Sequence, residues 1–248
     1  MRAGRSMSSP GGGPARGAGG QPEPRPLRIL PAWRTVLAVV AHPDDETFGL
    51  GAVVDRMTAA GAVVHVLCYT RGEASTLNEN AADLRRTREA ELRQASAELG
   101  VATVTLLDYP DGRLADVPPG QAATHVRELA ARHRPGGLLV FDDTGITGHP
   151  DHKAATAAAV RAGRAAGLPV LAWALPAAVA SRLRAETGQA FAGQPAGQTD
   201  FCVRVDRARQ RRAALLHASQ ISPAAVLWRR LRLQGDREHL RWLVPPRA

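Results

Sequence analysis

From residue 35 to residue 176, continuous apolar runs alternate with helix-length amphipathic stretches. That alternation constrains the fold more than any other feature. The runs "TVLAVVA" (35–41), "AVVHVLCYT" (62–70), "TVTLLDY" (103–109), "GGLLVFD" (136–142) and "LPVLAWALP" (168–176) have the length and β-branched content of strands buried on both faces. Between them, 46–61, 82–100, 120–135 and 151–167 carry helical spacing, and the first, second and fourth end on glycine. In 82–100, Leu84, Leu92, Ala95 and Leu99 share one face, and Arg85–Glu89 has the spacing of an ion pair. Strands separated by helices require crossover connections. The expected fold class is therefore α/β, with a mostly parallel sheet. In such sheets ligands bind beyond the carboxyl ends of the strands, where the strand order reverses.

Residues 1–32 are rich in Gly, Pro, Ser and Arg and have no periodic apolar face. Ordering them would bury little, so a disordered tail over 1–32 and one domain over 33–248 are expected. The formal charge of +9 lies at the ends: net +4 over 1–32, +8 over 207–248 and −3 between. Nucleic acid is not expected as a partner. The basic, Leu/Trp-containing stretch 227–242 reads as a helix or edge element whose Arg stems cover apolar surface, with weak peripheral membrane contact as the sharper reading. No apolar run of about 18 residues is present, so no membrane span is expected. No apolar run of about 7–15 residues follows the N-terminal arginines, which opposes a secretory signal. Cys68 and Cys202 sit singly in apolar runs, as suits a reducing, cytoplasmic setting. A homo-oligomer is compatible with all of this.

Chemistry concentrates in two places. "AHPDDETFGLG" (41–51) follows the first apolar run, and "FDDTGITGHPDHKA" (141–154) follows the fourth. If those strands are neighbours, His42, Asp44, Asp45, His149, Asp151 and His152 crowd one cleft. Carboxylates that close repel one another unless a cation lies between them. Two imidazoles and one carboxylate make an open zinc shell whose remaining position holds water, while a further carboxylate can take that water's proton. Asp44 and Asp45 can divide those roles, and spacing alone does not say how. The same donor set can hold Fe(II) for oxygenase chemistry, although such sites usually sit on all-β folds. A binding module with a structural metal is the other alternative; such sites usually close with a fourth protein ligand, often Cys.

"AHPDDE" followed by "GHPDH" resembles the LmbE/PIG-L family of zinc-dependent N-acetylglucosaminyl deacetylases. The resemblance continues through "TRGEAS" (70–75), "RTREAELRQASAELG" (86–100), "YPDGRL" (109–114) and "ALLHASQ" (214–220). It implies a Rossmann-like three-layer fold, one Zn2+ (or Fe2+ or another divalent ion) per chain, and hydrolysis of a small N-acyl amino sugar or its conjugate. It implies His42, Asp45 and His152 as metal ligands and Asp44 as general base. His149 would stabilise the oxyanion or protonate the leaving amine, and Asp151 would orient a histidine. Glu73, Arg88 and Asp111 fall where the family contacts its sugar. Some members carry an aromatic residue two positions before "HPDH"; here Thr147 stands there, as a further substrate contact. His217 and the "SQ" at 219–220 are expected to support the site from behind. A non-sugar N-acyl substrate remains the alternative within the same chemistry.

Overall fold

A computed structural model describes residues 29–77, 83–222 and 224–247, together with Met1. Of the tail expected over 1–32, residues 2–28 lie outside the described residues. The first strand, β1 (Thr35–Val40), is the middle of the fold. Its side chains alternate between two cores, as the two-residue period of a strand requires. Val36, Ala38 and Val40 join one apolar cluster; Leu37 and Val39 join the other. Both clusters are covered by helices, so the α/β reading takes the form of a sheet between two helical layers.

β2 (Val63–Thr70) pairs with β1, and β3 (Thr103–Tyr109) pairs with β2, both parallel. On the other side of β1, β4 (Gly137–Phe141) and then β5 (Val170–Ala174) add in parallel. Strand order therefore reverses between β1 and β4, which are direct neighbours. One face carries α1 (Asp45–Phe48), α2 (Gly51–Ala59), α3 (Leu84–Glu98) and α7 (Ala208–Leu216); the other carries α4 (Pro119–His133) and α5 (Pro150–Ala166). Further helices are α6 (Ala177–Thr187) and α8 (Val226–Gln234), which pack on each other. Among the described residues no helix is long and apolar enough to cross a membrane.

Three local expectations are corrected. The helix read over 46–61 is broken at Gly49–Leu50, because the backbone there passes against Phe141: a Cβ on Gly49 would lie 2.1 Å from that ring. Arg85 turns to Asp108 and Glu73, while Glu89 is taken by Arg71 and Arg93, so the pair expected between them does not form. The stretch 227–242 is not one basic surface element. It divides at Gly235 (φ +58°) into α8 and β7 (Arg237–Val244). β7 lies antiparallel between β5 and the edge strand β6 (Phe201–Arg204).

Two of the charges of β7, Glu238 and Arg241, are paired inward. Glu238, 0% exposed, accepts from Arg207 Nη1 (2.5 Å), Trp173 Nε1 (2.7 Å) and Gln234 Nε2 (2.9 Å). Arg241 reaches Asp142 at the end of β4 (2.6 Å). Removing one partner of a buried ion pair strands the other charge and costs about 3–5 kcal/mol. Glu238→Ala is accordingly expected to lose that much stability, read from the midpoint of chemical denaturation; an unchanged midpoint would show that Arg207 finds solvent instead.

Candidate active site

The carboxyl ends of β1 and β4 deliver the two motifs to one cleft of about 400 Å3. His42, Asp44, Asp45, Arg88, Asp111, Thr147, His149 and His152 all line it. Asp45 opens α1 and is fixed by the turn itself: its Oδ2 accepts from the amides of Ala41 (3.1 Å) and His42 (2.9 Å). Its Oδ1 lies 3.1 Å from His152 Nε2.

The hydrogen bonds around the two imidazoles assign their tautomers. His42 Nε2 sits between Asp111 Oδ1 (3.1 Å) and Asp151 Oδ2 (3.2 Å). Carboxylates accept, so Nε2 carries the proton and Nδ1 presents a lone pair. Asp151, wholly buried, is held by the amides of Gly112 (2.8 Å) and Leu114 (3.0 Å). His152 Nδ1 donates to the Gly145 carbonyl (3.1 Å), which leaves Nε2 as its lone pair. These two lone pairs face each other at 3.3 Å, and His42 Nδ1 is 3.6 Å from Asp45 Oδ2.

The two imidazole nitrogens lie 3.3 Å apart, and each meets a different oxygen of the Asp45 carboxylate, His152 Nε2 at Oδ1 (3.1 Å) and His42 Nδ1 at Oδ2 (3.6 Å), an arrangement that calls for a positive charge between them. A tetrahedral ion with ligand bonds of about 2.0–2.1 Å has its ligands roughly 3.3 Å apart. The 3.3 Å between His42 Nδ1 and His152 Nε2 matches that spacing, and Asp45 beside them completes a donor set suited to a divalent cation. His149 also stands within ligand reach of the two imidazoles, as do Asp111 and Asp151 of the far side of His42. The same negative surroundings hold a proton where no cation is bound: burial disfavours the His42 cation, yet Asp111, Asp151 and Asp45 raise its pKa to about 10, so a metal would take the place of the Nδ1 proton. Burial opposes ionisation of Asp45, but His152 and His42 hold it well below the usual carboxylate range.

Asp44 stands beside this trio without joining it. Its φ is +111°, a left-handed value rarely taken by a non-glycine residue and one that marks functional sites. Three interactions hold it there. Its amide donates to Glu46 Oε2 (2.9 Å), Glu46 Oε1 is bonded to His217 Nε2 (2.8 Å), and Arg88 Nη2 reaches Asp44 Oδ2 (2.9 Å). Arg88 is itself buried and also donates to the carbonyls of Gly72 and Pro43. Burial lifts the Asp44 carboxyl to about 6, against the pull of Arg88.

His149 caps α5, its Nδ1 accepting from the Asp151 amide (3.2 Å). The proton of the neutral ring is thereby placed on Nε2. Burial, with His42 and His152 nearby, lowers its pKa, so the ring is neutral at neutral pH.

Two expected substrate contacts are placed differently. Glu73 does not line the cleft; its Oε1 accepts from the Asp111 amide (3.2 Å) and faces Arg85 (3.5 Å), so it braces the loop that carries Asp111. Arg88 reaches the cleft wall with its Nη1 and Nη2 turned to Asp44 and two carbonyls, while its Nε is buried with no hydrogen-bond partner among the described residues. Asp111 bridges His42 and the Ala74 amide (2.9 Å). Thr147 is on the lining, its amide bonded to the Gly145 carbonyl (2.7 Å). Behind the site, Ser219 binds Glu91 and Gln220 binds Ser75 (2.7 Å), beside the His217–Glu46 pair. Reading the sequence missed the apolar wall of Phe48, Phe141, Trp173, Phe191 and Leu227, because its members come from separate elements and share no spacing.

Known proteins match this chain in sequence and in fold. The model of the PIG-L family, described as GlcNAc-PI de-N-acetylase, matches residues 37–163, just over half the chain. A 1D-myo-inositol 2-acetamido-2-deoxy-alpha-D-glucopyranoside deacetylase of Kineococcus radiotolerans is 32% identical over 223 residues, covering 69% of this chain and 61% of that protein. The chain spans about half to three fifths of the length of the curated relatives it matches. The N,N'-diacetylchitobiose deacetylase of Pyrococcus horikoshii superposes with a TM-score of 0.66 at 20% identity, covering 86% of this chain and 84% of that one. GalB, the 4-carboxy-2-hydroxymuconate hydratase of Pseudomonas putida KT2440, does so with 0.64 at 18% identity, covering 87% and 98%. The same fold thus carries a deacetylase in one organism and a hydratase in another, and the reaction has to be argued from the site.

Proposed function

The chain belongs to the PIG-L family, and on that premise we propose that it is a metal-dependent hydrolase removing the acyl group from the nitrogen of an N-acetylglucosamine-type substrate. The observation that carries this reading is the meeting of three lone-pair donors, His42 Nδ1, His152 Nε2 and Asp45, beside a carboxylate that is not one of them. His42, Asp45 and His152 would hold the ion, with Zn2+ favoured by two imidazoles and one carboxylate. When bound, such an ion supplies Lewis acidity toward an amide carbonyl and lowers the pKa of water to about 7.

The remaining work falls to side chains. Asp44 takes the proton of the attacking water; its lifted pKa suits a base that must release that proton again. Arg88 holds its carboxylate, and the Glu46–His217 pair holds its backbone amide. His149, neutral and with Nε2–H free of the α5 cap, donates to the oxyanion as the carbonyl carbon becomes tetrahedral. The C–N bond breaks, and the proton held by Asp44 goes to the departing amine. A cytoplasmic setting is part of the proposal, supported by two free cysteines buried in β2 and β6.

The test is a mass-spectrometric screen of metal-replete protein against N-acyl amino sugars and non-sugar N-acyl amines, scoring loss of the acyl group. Deacylation of the amino sugars supports the reading; no deacylation of any of them removes it. The same assay carries a pH prediction. The base must be ionised, so kcat/KM is expected to fall as pH drops through about 6, or lower once a cation sits beside Asp44. A profile flat across that acid range would take Asp44 out of the role.

A further inference from the structure

The cleft is chemically divided. Ser75, Asp111 and Gln220 line it with polar groups, whereas Phe141, Ile146, Trp173 and Phe191 line it with apolar surface. Ring contacts lead away from the metal ligands along the apolar wall. The Phe141 ring is 5.0 Å from the ring of His152 and 5.3 Å from that of Trp173. Beyond Trp173, 4.8 Å from its ring centroid, stands the guanidinium of Arg230, which α8 places in the lining with Val226 and Leu227.

Arg230 is a buried cation with no direct ion-pair partner among the described residues; Glu238, the opposite charge that acts on it, is already engaged by Arg207. It is 5% exposed; its Nη2 donates to the Phe48 carbonyl, and its Nη1 is buried with no partner. No carboxylate among the described residues forms an ion pair with it. Glu238 is already shared by Arg207, Trp173 and Gln234, so two buried guanidiniums have one buried carboxylate between them. Burial lowers the Arg230 pKa to about 10, which keeps it charged at neutral pH. Isolated buried charges are costly, and an arrangement of this kind is stabilised when an anion arrives.

We propose that Arg230 receives a carboxylate at the far end of the substrate's acyl group, so that the acyl chain removed is longer than acetyl and ends in an acid. The proposal rests on the deacylase reading above. Sugar hydroxyls need hydrogen-bond partners, which the Ser75–Asp111–Gln220 side offers; methylenes need none and suit the Phe141–Trp173 wall. An acetyl group held beside His152 would reach no farther than Phe141, the first ring of that wall, and would leave Arg230 without a partner. The reaction remains hydrolysis. Water adds to the amide carbonyl, the C–N bond breaks, the nitrogen takes a proton to leave as the free amino sugar, and the acyl group departs as a dicarboxylate.

The decisive comparison is a series of N-(ω-carboxyacyl)glucosamines from glutaryl upward, each against the acyl chain of equal length ending in methyl, so that the pair differs by carboxylate against methyl at the chain end. At the length that reaches Arg230, a charge-assisted hydrogen bond should favour the acid by about 10- to 100-fold in kcat/KM. Arg230→Met should bring that ratio toward one, and Arg230→Lys should keep most of it. Because the ratio is internal to each protein, a general loss of activity does not mimic the effect. A ratio near one at every length in the unmodified protein, or a preference that survives Arg230→Met, overturns the proposal. An Arg230-dependent preference for N-acetylglucosamine 1-phosphate over N-acetylglucosamine would move the anion to the sugar side and overturn the acyl placement. If no amino sugar is deacylated, the proposed function fails by itself. Calorimetry with glutarate on the full chain then decides the anion site: Arg230-dependent binding supports it, and no binding ends it.

Discussion

Asp44→Asn is expected to keep its metal and its fold while kcat falls by at least about a hundredfold, and by as much as about ten-thousandfold. The structure recommends asparagine over alanine. At φ +111°, asparagine is among the few non-glycine residues that tolerate the backbone, so the variant changes the acid–base group without forcing the turn to move. Arg88 would still find an amide oxygen where Asp44 Oδ2 now accepts. Only the capacity to take a proton is lost. Metal content and single-turnover rates on the same preparation separate the two roles: a variant with near-normal turnover, or one that arrives without metal, would show that Asp44 is not the base.

His152→Ala is expected to fail in the opposite manner, losing metal and activity together. Several kcal/mol of transition-state stabilisation come from a bound ion, and each factor of ten is about 1.36 kcal/mol, so the loss should be roughly a thousandfold or more. His152 is a cleaner probe than Asp45, whose Oδ2 also ties down the amides of Ala41 and His42 and whose removal would loosen the turn itself. The imidazole of His152 gives up one bond to the Gly145 carbonyl. Metal analysis after dialysis, beside a thermal melt, is the measurement; a His152→Ala protein that binds the ion at full stoichiometry would place the metal elsewhere.

The central sheet could be read from the sequence because its parallel strands are buried on both faces and so appear as continuous apolar runs, as in "TVLAVV" and "GLLVF". The meeting of the two motifs was legible only as a condition, since crossover folds exist in which the first and fourth strands are not neighbours; the pairing of β1 with β4 fulfils it. β7 was illegible for a physical reason. Arg237, Glu238 and Arg241 give it the composition of a surface, yet Glu238 and Arg241 satisfy their charges internally, with Arg207 and Asp142. Glu73 shows the converse. Its motif drew attention to the loop, but only the fold reveals that it braces Asp111 from outside the cleft. Arg230 had a signal, the basic stretch 227–242, read as Arg stems over apolar surface or as a membrane contact, whereas the fold turns this guanidinium into the cleft lining.

The position of β7 has a consequence for how the chain is assembled. β6 precedes it in sequence but has no place to dock until β7 has paired with β5. Until residues 237–244 have emerged from the ribosome, β5 presents a bare edge, the kind of surface that recruits other chains into aggregates. A nascent or truncated polypeptide that already holds every metal ligand would therefore still be exposed to misassembly. Shortening the chain before Arg237 should be felt first as insolubility, well before any effect on the chemistry is measured.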